Sequence, residues 1–267
     1  MTTIGFIGAG KMAEAMIAGL IAKGFVEAHH VLASDVSGER LTDLRQRYRL
    51  RTCADNAEVV RASNVCILAV KPQQLDAVLR ELAPCATPAQ LMVSIAAGKP
   101  TALIESILPT SRVVRVMPNI NCLAGEGMNV FARGTRATAE DGALVARLLA
   151  CCGLALELPE EQFDAVTALS GSGPALFAYL LGCLVEGAVK EGLARTDALL
   201  LAEQTMLGTA RLLREHRMEP RDLAAAVTSA KGTTAAARDV LETGVVAEIL
   251  ERAIGAAARR SRELRQA

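Results

Sequence analysis

Short apolar segments alternate with helix-period segments along the first half of the chain. The apolar segments are TIGFIG, VLAS, VCILAV, LMVSIA and RVVRVM, and helical periods follow the first four at 11–23, 38–48, 72–83 and 101–108. These segments are too apolar for a sheet with one face in water. The pattern therefore predicts an α/β domain whose doubly wound parallel sheet is covered by helices on both faces.

A change of pattern near residue 158 predicts a second domain. After LALELP the strand signal fades, and residues 172–266 read as Ala- and Leu-rich helices broken at GLARTD, HRMEP and SAKGTT. We therefore expect an N-terminal α/β domain at 1–160 and an all-helical C-terminal domain at 161–267.

Composition and charge narrow the class of protein. The 267 residues are 51% hydrophobic, and 29 basic residues balance 29 acidic ones. A neutral chain with 3% aromatic residues lacks the basic, aromatic surface that binds nucleic acids. The seven cysteines form no CxxC pair, so neither a disulfide framework nor a metal site is predicted. With no uninterrupted apolar run of about 18 residues and no secretion signal at the start, a cytoplasmic protein is expected, without a membrane span.

A glycine-rich loop follows the first predicted strand. The segment IGFIGAGKMAEAM places Gly8, Gly10 and Ala13 between that strand and the start of a helix. The first glycine permits a tight turn, the second lets the backbone approach a pyrophosphate, and a small third residue allows close packing. The helix N-terminus adds unpaired N–H groups. The loop therefore predicts a dinucleotide-binding, Rossmann-type domain.

The choice between NAD and NADP depends on the end of the second strand. Asp35 stands where an acid would bind the adenosine ribose hydroxyls, and a carboxylate there repels a 2′-phosphate. Ser34, Ser37 and Arg40 are close enough in sequence to receive a phosphate if Asp35 points away. Both cofactors therefore remain open. Lys71, at the end of the next strong strand, falls at the carboxyl edge of the sheet, where such sheets bind ligands.

Side chains that would protonate a carbonyl are scarce. His29 and His30 precede the second strand, His216 lies in a charged turn, and neither Tyr48 nor Tyr179 forms a Y-x-x-x-K pattern. A cyclic imine carries its own basic nitrogen and can arrive protonated. Its reduction by hydride transfer would therefore need orientation and a mild hydrogen bond more than a strong acid.

The segment SAKGTTAAARDVL at 229–241 begins a late helix with small polar residues. Ser229, Gly232, Thr233 and Thr234 would offer hydroxyls and free backbone N–H groups at a helix N-terminus, which suits a carboxylate. An ordinary N-cap needs only one Ser or Thr, so the pattern favours a ligand site. The related segment SGSGP at 170–174 is explained equally well by a tight helix entry with Ser172 as its cap.

With these segments, the chain resembles the pyrroline-5-carboxylate reductases, which catalyse the last step of proline biosynthesis. The resemblance is carried in order by IGFIGAGKMAEAM, DAVTALSGSGPA and VTSAKGTTAAARDVLE, with LAVKPQ, VSIAAG and RVMPN between them. It implies an oxidoreductase that uses NADP(H) or NAD(H) to reduce the C=N bond of 1-pyrroline-5-carboxylate to L-proline. It also implies that the helical domain binds substrate and pairs with a second subunit, in a homodimer or a ring of dimers.

The resemblance assigns roles to matching positions. Thr234 would hydrogen-bond the ring nitrogen as the catalytic residue, while Ser229, Gly232 and Thr233 hold the carboxylate. Val227 and Glu160 would shape the substrate site. The matching cofactor positions are Gly8, Ala9, Gly10, Lys11, Met12, Ser34, Asp35, Asn56, Val70, Lys71, Ala97, Pro118 and Asn119, the last two near the nicotinamide.

A few residues depart from the family pattern. Ile120 and Asn121 stand where Thr-Pro is common, Lys231 replaces a usual Gly, Ala or Asn, and Leu176 replaces a frequent aromatic residue. These changes bear on substrate preference and rate. Two other functions remain open: a reductase or dehydrogenase of a related substrate, such as another cyclic imino acid or a 3-hydroxy acid, and a nucleotide-binding protein without catalysis.

Overall fold

A computed structural model of the chain describes residues 2–266, without the side chain of Gln266. Eight strands in this part form one sheet in the order β3-β2-β1-β4-β5-β6-β7-β8. The strands are β1 (Ile4–Ile7), β2 (Val31–Ser34), β3 (Arg51–Cys53), β4 (Val65–Leu68), β5 (Leu91–Ser94), β6 (Arg112–Met117), β7 (Gly127–Arg133) and β8 (Gly153–Glu157).

The sheet is parallel except at one pairing. β1 lies between β2 and β4 and pairs in parallel with both, so the winding direction reverses beside β1. This order is typical of dinucleotide-binding domains, which bind ligands at that reversal. Only β6 and β7 run antiparallel. The predicted doubly wound class is confirmed, although the sequence pattern did not predict β3 or the antiparallel β7.

Helices cover both faces of the sheet. The helices of this region are α1 (Lys11–Ala22), α2 (Gly38–Tyr48), α3 (Asn56–Ala62), α4 (Pro72–Leu82), α5 (Thr101–Ile107) and α6 (Ala139–Leu149). One buried core includes Met16 of α1, Leu44 of α2 and Val145 of α6. A second core includes Leu75 of α4 and Ile104 of α5. Two separate cores are what a sheet buried on both faces requires.

The last third of the chain is helical, as predicted. It contains α7 (Phe163–Val166), a π-helical turn (Thr167–Gly171), α8 (Gly173–Lys190), α9 (Arg195–His216), α10 (Pro220–Ala226), α11 (Thr233–Thr243) and α12 (Val246–Gln266). The three predicted breaks separate α8 to α11. The expected cap at Ser172 is wrong, because Ser172 has helical backbone angles and its N–H donates to the Thr167 carbonyl oxygen at 2.9 Å. The π-helical turn runs into α8 and needs no cap.

The chain divides into two compact units. Among the described residues, the first comprises 2–172 and 257–266, and the second comprises 173–256. Within the first unit, Asp164 accepts a hydrogen bond from the Ser261 hydroxyl at 2.7 Å and pairs with Arg265 at 3.3 Å. The end of α12 thereby joins the sheet-bearing unit. The boundary predicted at 160/161 marks the change from alternating strands and helices to helices alone. As a boundary between domains it stays a prediction.

One helical stretch, 160–190, is long and apolar enough to cross a membrane by length and composition alone. The sequence expectation concerned an uninterrupted apolar run, and the segment SGSGP interrupts this stretch. The stretch meets the composition criterion because its Leu, Val, Phe and Ala residues raise the mean hydropathy. The exposed large side chains Leu169, Phe177, Tyr179 and Leu184 lie on this stretch.

The seven cysteines are free thiols, and four of them are buried: Cys66, Cys122, Cys151 and Cys152. Burial inside β4 raises the pKa of the Cys66 thiol to about 12, so it is protonated at neutral pH. Such thiols behave as small hydrophobic core residues.

Candidate active site

The glycine-rich loop has the backbone that a dinucleotide site needs. Gly8 follows β1 with φ of +94°, and a Cβ added there would lie 2.7 Å from the Ala69 carbonyl oxygen. Gly10 is the N-cap of α1, and nothing lies within 4 Å of the position that its Cβ would take. Lys11 and Met12 form the first turn of α1. The open space at Gly10 and the N–H groups of α1 therefore fit a pyrophosphate.

A cleft of about 570 Å³ adjoins this loop at the carboxyl ends of β1, β2 and β4. Its lining brings together six of the predicted cofactor residues, namely Gly8, Gly10, Asp35, Asn56, Val70 and Lys71. The cleft lies where the winding direction reverses, the position at which such sheets bind ligands. The predicted residues at this end of the sheet therefore form one site that can hold a dinucleotide.

Ser34 lies behind one of the cleft residues, and its predicted contact with a cofactor stays a prediction. Its side chain is buried, and its hydroxyl donates to Asn56 Oδ1 at 2.6 Å. Asn56 in turn donates to Glu81 at 3.2 Å. Ser34 therefore orients Asn56, which lines the cleft, and is not itself part of the cleft lining.

Asp35 and Arg40 hold the middle residue of the glycine loop from two sides. Asp35 Oδ2 accepts the Ala9 N–H at 2.7 Å, and Oδ1 accepts the Ser37 N–H at 2.9 Å. Arg40 Nε donates to the Ala9 carbonyl oxygen at 2.7 Å. Its other nitrogens pair with Glu14 and with Asp43. Both polar groups of the Ala9 peptide are thus satisfied by the loop and helix that follow β2.

Glu14 anchors this arrangement on α1. Its carboxylate pairs with Arg40 and Arg47 and accepts the Tyr48 hydroxyl at 3.0 Å. Burial raises the pKa of Glu14, but hydrogen bonds from Arg40 and Tyr48 and both guanidinium charges leave it below its usual value. Glu14 is therefore ionised at neutral pH and holds Arg40 in place.

The predicted nicotinamide end lies at the carboxyl ends of β5 and β6. Ala97 is exposed on the loop after β5, whereas Pro118 and Asn119, after β6, are buried. Asn119 donates to the Ser170 carbonyl oxygen at 3.1 Å and accepts the Met128 N–H at 3.1 Å. The Asn119 amide therefore ties β6 to β7 and to the π-helical turn. A contact between this amide and a cofactor stays a prediction.

Glu160 belongs to a network inside the first unit that sequence reasoning missed. Its Oε1 accepts from the Thr101 N–H and from Arg115, each at 2.9 Å, and its Oε2 accepts the Thr101 hydroxyl at 2.5 Å. The Arg115 guanidinium also lies 4.7 Å from the centre of the Phe163 ring. The predicted substrate role of Glu160 remains a prediction, but both carboxylate oxygens already bind protein groups. The sequence feature that indicates this network is Arg115, a charged residue inside the otherwise apolar strand segment RVVRVM.

The predicted carboxylate site lies in the second unit, at the start of α11. Gly232 is the N-cap, and among the described residues no side chain caps this end. Gly232 itself differs from expectation, because its N–H donates to the Ser229 carbonyl oxygen at 3.0 Å and is not free. A Cβ at Gly232 would collide with the Ser229 hydroxyl. The N–H groups of Thr233 and Thr234, in the first turn, are the ones positioned to receive a carboxylate.

Val227 completes the predicted substrate set, and Lys231, which departs from the family pattern, lies beside the same turn. Val227 ends α10 and is 58% exposed. Lys231 has φ of +61°, in the left-handed region that glycine and asparagine occupy most readily. The preference for small residues at this position thus has a backbone cause. Across residues 2–266, no group of three or more His, Cys, Asp or Glu side chains is placed to bind a metal ion.

Comparison with known proteins gives the family. Residues 160–264 match the family described as pyrroline-5-carboxylate reductase dimerisation, and residues 3–98 match the family described as NADP oxidoreductase, coenzyme F420-dependent. A pyrroline-5-carboxylate reductase of Methanosarcina acetivorans is 43% identical over 98% of this chain and 97% of its own length. The chain belongs to the pyrroline-5-carboxylate reductase family.

Solved structures agree with this family assignment. A pyrroline-5-carboxylate reductase from Coxiella burnetii matches with a TM-score of 0.93 and 35% identity, covering 98% of both chains. A pyrroline carboxylate reductase from Plasmodium falciparum with NADP bound matches with a TM-score of 0.88 and 26% identity, covering 99% of this chain and 98% of its own. The resemblance predicted from the sequence is confirmed. The match to the dimerisation family covers the helical region from Glu160 to Leu264.

Proposed function

We propose that this protein reduces the C=N bond of 1-pyrroline-5-carboxylate to L-proline with a hydride from NADPH or NADH. The observation that carries the proposal is the presence of two sites in one chain of this family: the dinucleotide loop at Gly8–Met12 and the uncapped start of α11 at Thr233 and Thr234. Full-length similarity to pyrroline-5-carboxylate reductases supports the same substrate. The NADP bound in the Plasmodium relative supports the cofactor type.

The cofactor residues divide by position along the sheet edge. In this proposal Gly8, Ala9, Gly10, Lys11 and Met12 hold the pyrophosphate, and Asp35, Asn56, Val70 and Lys71 hold the adenosine end. Ala97, Pro118 and Asn119 form the nicotinamide end. When bound, NAD(P)H supplies the hydride that adds to the carbon of the C=N bond. The protein's task is then to orient the imine and to support its nitrogen.

The start of α11 holds the substrate in this proposal. The substrate carboxylate accepts hydrogen bonds from the N–H groups of Thr233 and Thr234 at the positive end of the helix, and the Ser229 hydroxyl is a third donor. The Thr234 hydroxyl hydrogen-bonds the ring nitrogen. Because the imine arrives protonated, that nitrogen keeps its proton as the C=N bond becomes a single bond. A strong general acid is therefore unnecessary, which agrees with the scarcity of such residues.

We further propose that a second copy of this chain covers the exposed apolar side chains of the second unit, in a homodimer or a ring of dimers. Phe177, Tyr179 and Leu184 of α8 and Leu200 and Leu201 of α9 are at least 56% exposed. Apolar surface of this extent marks an interface. The match to a dimerisation domain includes the whole apolar stretch 160–190, which favours a protein partner over lipid. We propose a cytoplasmic location as well, on the sequence features that predict it.

The decisive test is an assay of the purified protein for loss of nicotinamide absorbance. We expect oxidation of NADPH or NADH with 1-pyrroline-5-carboxylate, and little with the isomeric pyrroline-2-carboxylate. Turnover of the isomer alone would mean that Ile120, Asn121 and Lys231 accompany a changed substrate. Binding of NAD(P)H without oxidation by either imine would favour a non-catalytic nucleotide-binding protein.

The role of Thr234 is tested by Thr234→Val, which removes the hydroxyl and preserves the shape. We expect kcat/KM for the imine to fall about tenfold to a hundredfold, the range for losing one hydrogen bond to a reacting group. The Kd for NADH should stay unchanged, because the described residues that line the cofactor cleft belong to the first unit and none of them to α11. Steady-state kinetics and fluorescence titration measure the two quantities.

Two variants control this experiment. Thr234→Ser retains a hydroxyl and should recover most of the lost activity. Thr243→Val makes the same substitution at the other end of α11, where the hydroxyl donates to the Asp239 carbonyl oxygen at 2.6 Å, and should leave kcat/KM unchanged. Equal losses in the Thr234 and Thr243 variants would point to helix stability and remove Thr234 from the mechanism.

A further inference from the structure

We propose that this protein uses NADH in preference to NADPH, and that Asp35 makes the distinction. This inference rests on the proposed function and deepens it, since it concerns the adenosine end of the same cofactor. The two cofactors differ there by one group: NADPH carries a 2′-phosphate where NADH carries a hydroxyl. The question is therefore whether the cleft beside β2 can accept additional negative charge.

Asp35 is fixed at the entrance of that cleft. Each of its two carboxylate oxygens accepts one backbone N–H, from Ala9 at 2.7 Å and from Ser37 at 2.9 Å. Rotating the side chain away would break both bonds and leave the Ala9 N–H, in a buried residue, without its acceptor. Each oxygen retains a lone pair that can accept a ribose hydroxyl. Asp35 therefore stays in the cleft and suits the unphosphorylated ribose.

The nearest arginine cannot offset the charge of Asp35. Arg40 directs Nε to the Ala9 carbonyl oxygen and its two terminal nitrogens to Glu14 and Asp43. Moving this guanidinium to a phosphate would undo those contacts and leave the largely buried Glu14 with less support. The positive charge near the loop is already matched by two carboxylates.

Two further lining residues, Val36 and Glu81, also suit an adenosine without a phosphate, whereas Lys71 is the one cation among the described lining residues. Val36, directly after Asp35, is 98% exposed and lines the cleft with an apolar surface that suits an adenine ring. Glu81, from α4, adds a second carboxylate to the lining. Lys71 supplies a positive charge on the loop after β4. Because Asp35 directly follows β2 and lines the cleft, a phosphate on the ribose would lie beside this carboxylate, and close like charges repel.

The test uses two probes that contain only the adenosine end, ADP-ribose and 2′-phospho-ADP-ribose, with Kd measured by titration calorimetry. We expect the wild-type protein to bind ADP-ribose about tenfold or more tightly than the phosphorylated probe, given the repulsion between close like charges. Asp35→Ser should reduce this ratio by about tenfold. High salt should narrow the wild-type ratio, because it screens the repulsion.

Three further variants show whether Asp35 or another group sets the ratio of the two Kd values. Glu39→Gln removes one negative charge from α2 outside the cleft lining and should leave the ratio unchanged. Asp35→Asn preserves the shape and one acceptor, so it replaces Asp35→Ser if the latter fails to fold. Glu14→Gln loosens Arg40 while keeping Asp35, and should strengthen binding of the phosphorylated probe. Circular dichroism establishes that each variant is folded.

The outcomes separate this inference from the proposed function. Tighter binding of the phosphorylated probe by wild type, lost in Lys71→Gln, would overturn the inference and make Lys71 the phosphate-binding residue. An unchanged ratio in the Asp35 variants, or binding of neither probe, would also overturn it. Preference for ADP-ribose together with no turnover of 1-pyrroline-5-carboxylate would uphold Asp35 and contradict the proposed reaction.

Discussion

Replacing Gly8 by alanine is expected to destabilise the first unit and to remove dinucleotide binding. The residue has φ of +94°, and an L side chain in left-handed backbone costs about 1–2 kcal/mol. The new Cβ would also lie 2.7 Å from the carbonyl oxygen and 2.8 Å from the carbonyl carbon of Ala69, both backbone atoms that cannot rotate away. We expect a total loss of about 3 kcal/mol or more in the free energy of unfolding.

Urea unfolding and titration with ADP-ribose measure the two effects of Gly8→Ala, and two matched variants interpret them. Gly10→Ala should retain full stability, because its Cβ meets nothing within 4 Å, yet weaken ADP-ribose binding by occupying the pyrophosphate position. Gly38→Ala, which also meets nothing within 4 Å, should change neither quantity. A Gly8→Ala protein with wild-type stability and binding would disprove the assigned loop geometry.

The sequence predicted the central part of the sheet better than its margins. Strands β1, β4 and β5 are buried at every position, which produces the apolar runs that identify them. The edge strands β3 and β8 are mostly exposed or half-buried and carry polar residues. β7 contains the buried Asn129, whose amide donates to the Leu154 carbonyl oxygen of β8 at 3.2 Å. A polar residue satisfied by a partner 25 positions away interrupts the local pattern.

The candidate site shows the same division between local and long-range information. The glycine loop and the start of α11 are single segments, so their spacing alone indicates a function. The long-range partners of Asp35, Arg40 and Glu160 lie 26 to 59 residues away, and the sequence does not show which of several charged residues will meet. Free Arg40 was one possibility for phosphate binding. The structure pairs it with Glu14 and Asp43, and that pairing supports the proposed preference for NADH.

Replacing Arg115 by methionine is expected to lower the free energy of unfolding by about 2–4 kcal/mol, somewhat below the range for a fully buried ion pair that loses one partner. The Arg115 side chain is 4% exposed, and its partner Glu160 is 23% exposed, so water relieves part of the loss. The variant leaves a carboxylate held by Thr101 alone. It also removes the guanidinium from the face of Phe163, a contact worth about 1 kcal/mol.

A double-mutant cycle and one neighbouring arginine show whether the loss belongs to this network. Glu160→Gln should be milder than Arg115→Met, because the amide oxygen can still accept from Arg115. The double variant should be more stable than the sum of the single losses predicts, because contacting residues couple by about 0.5–3 kcal/mol. Arg133→Met, in the neighbouring strand β7, removes an ion pair with Glu157 whose side chains are 36% and 44% exposed, and should cost about 1 kcal/mol or less. Additive losses across the cycle, measured by urea unfolding, would mean that the two side chains act independently. A raised KM for 1-pyrroline-5-carboxylate in Glu160→Gln, with stability nearly intact, would add a substrate role for Glu160 to its part in the network.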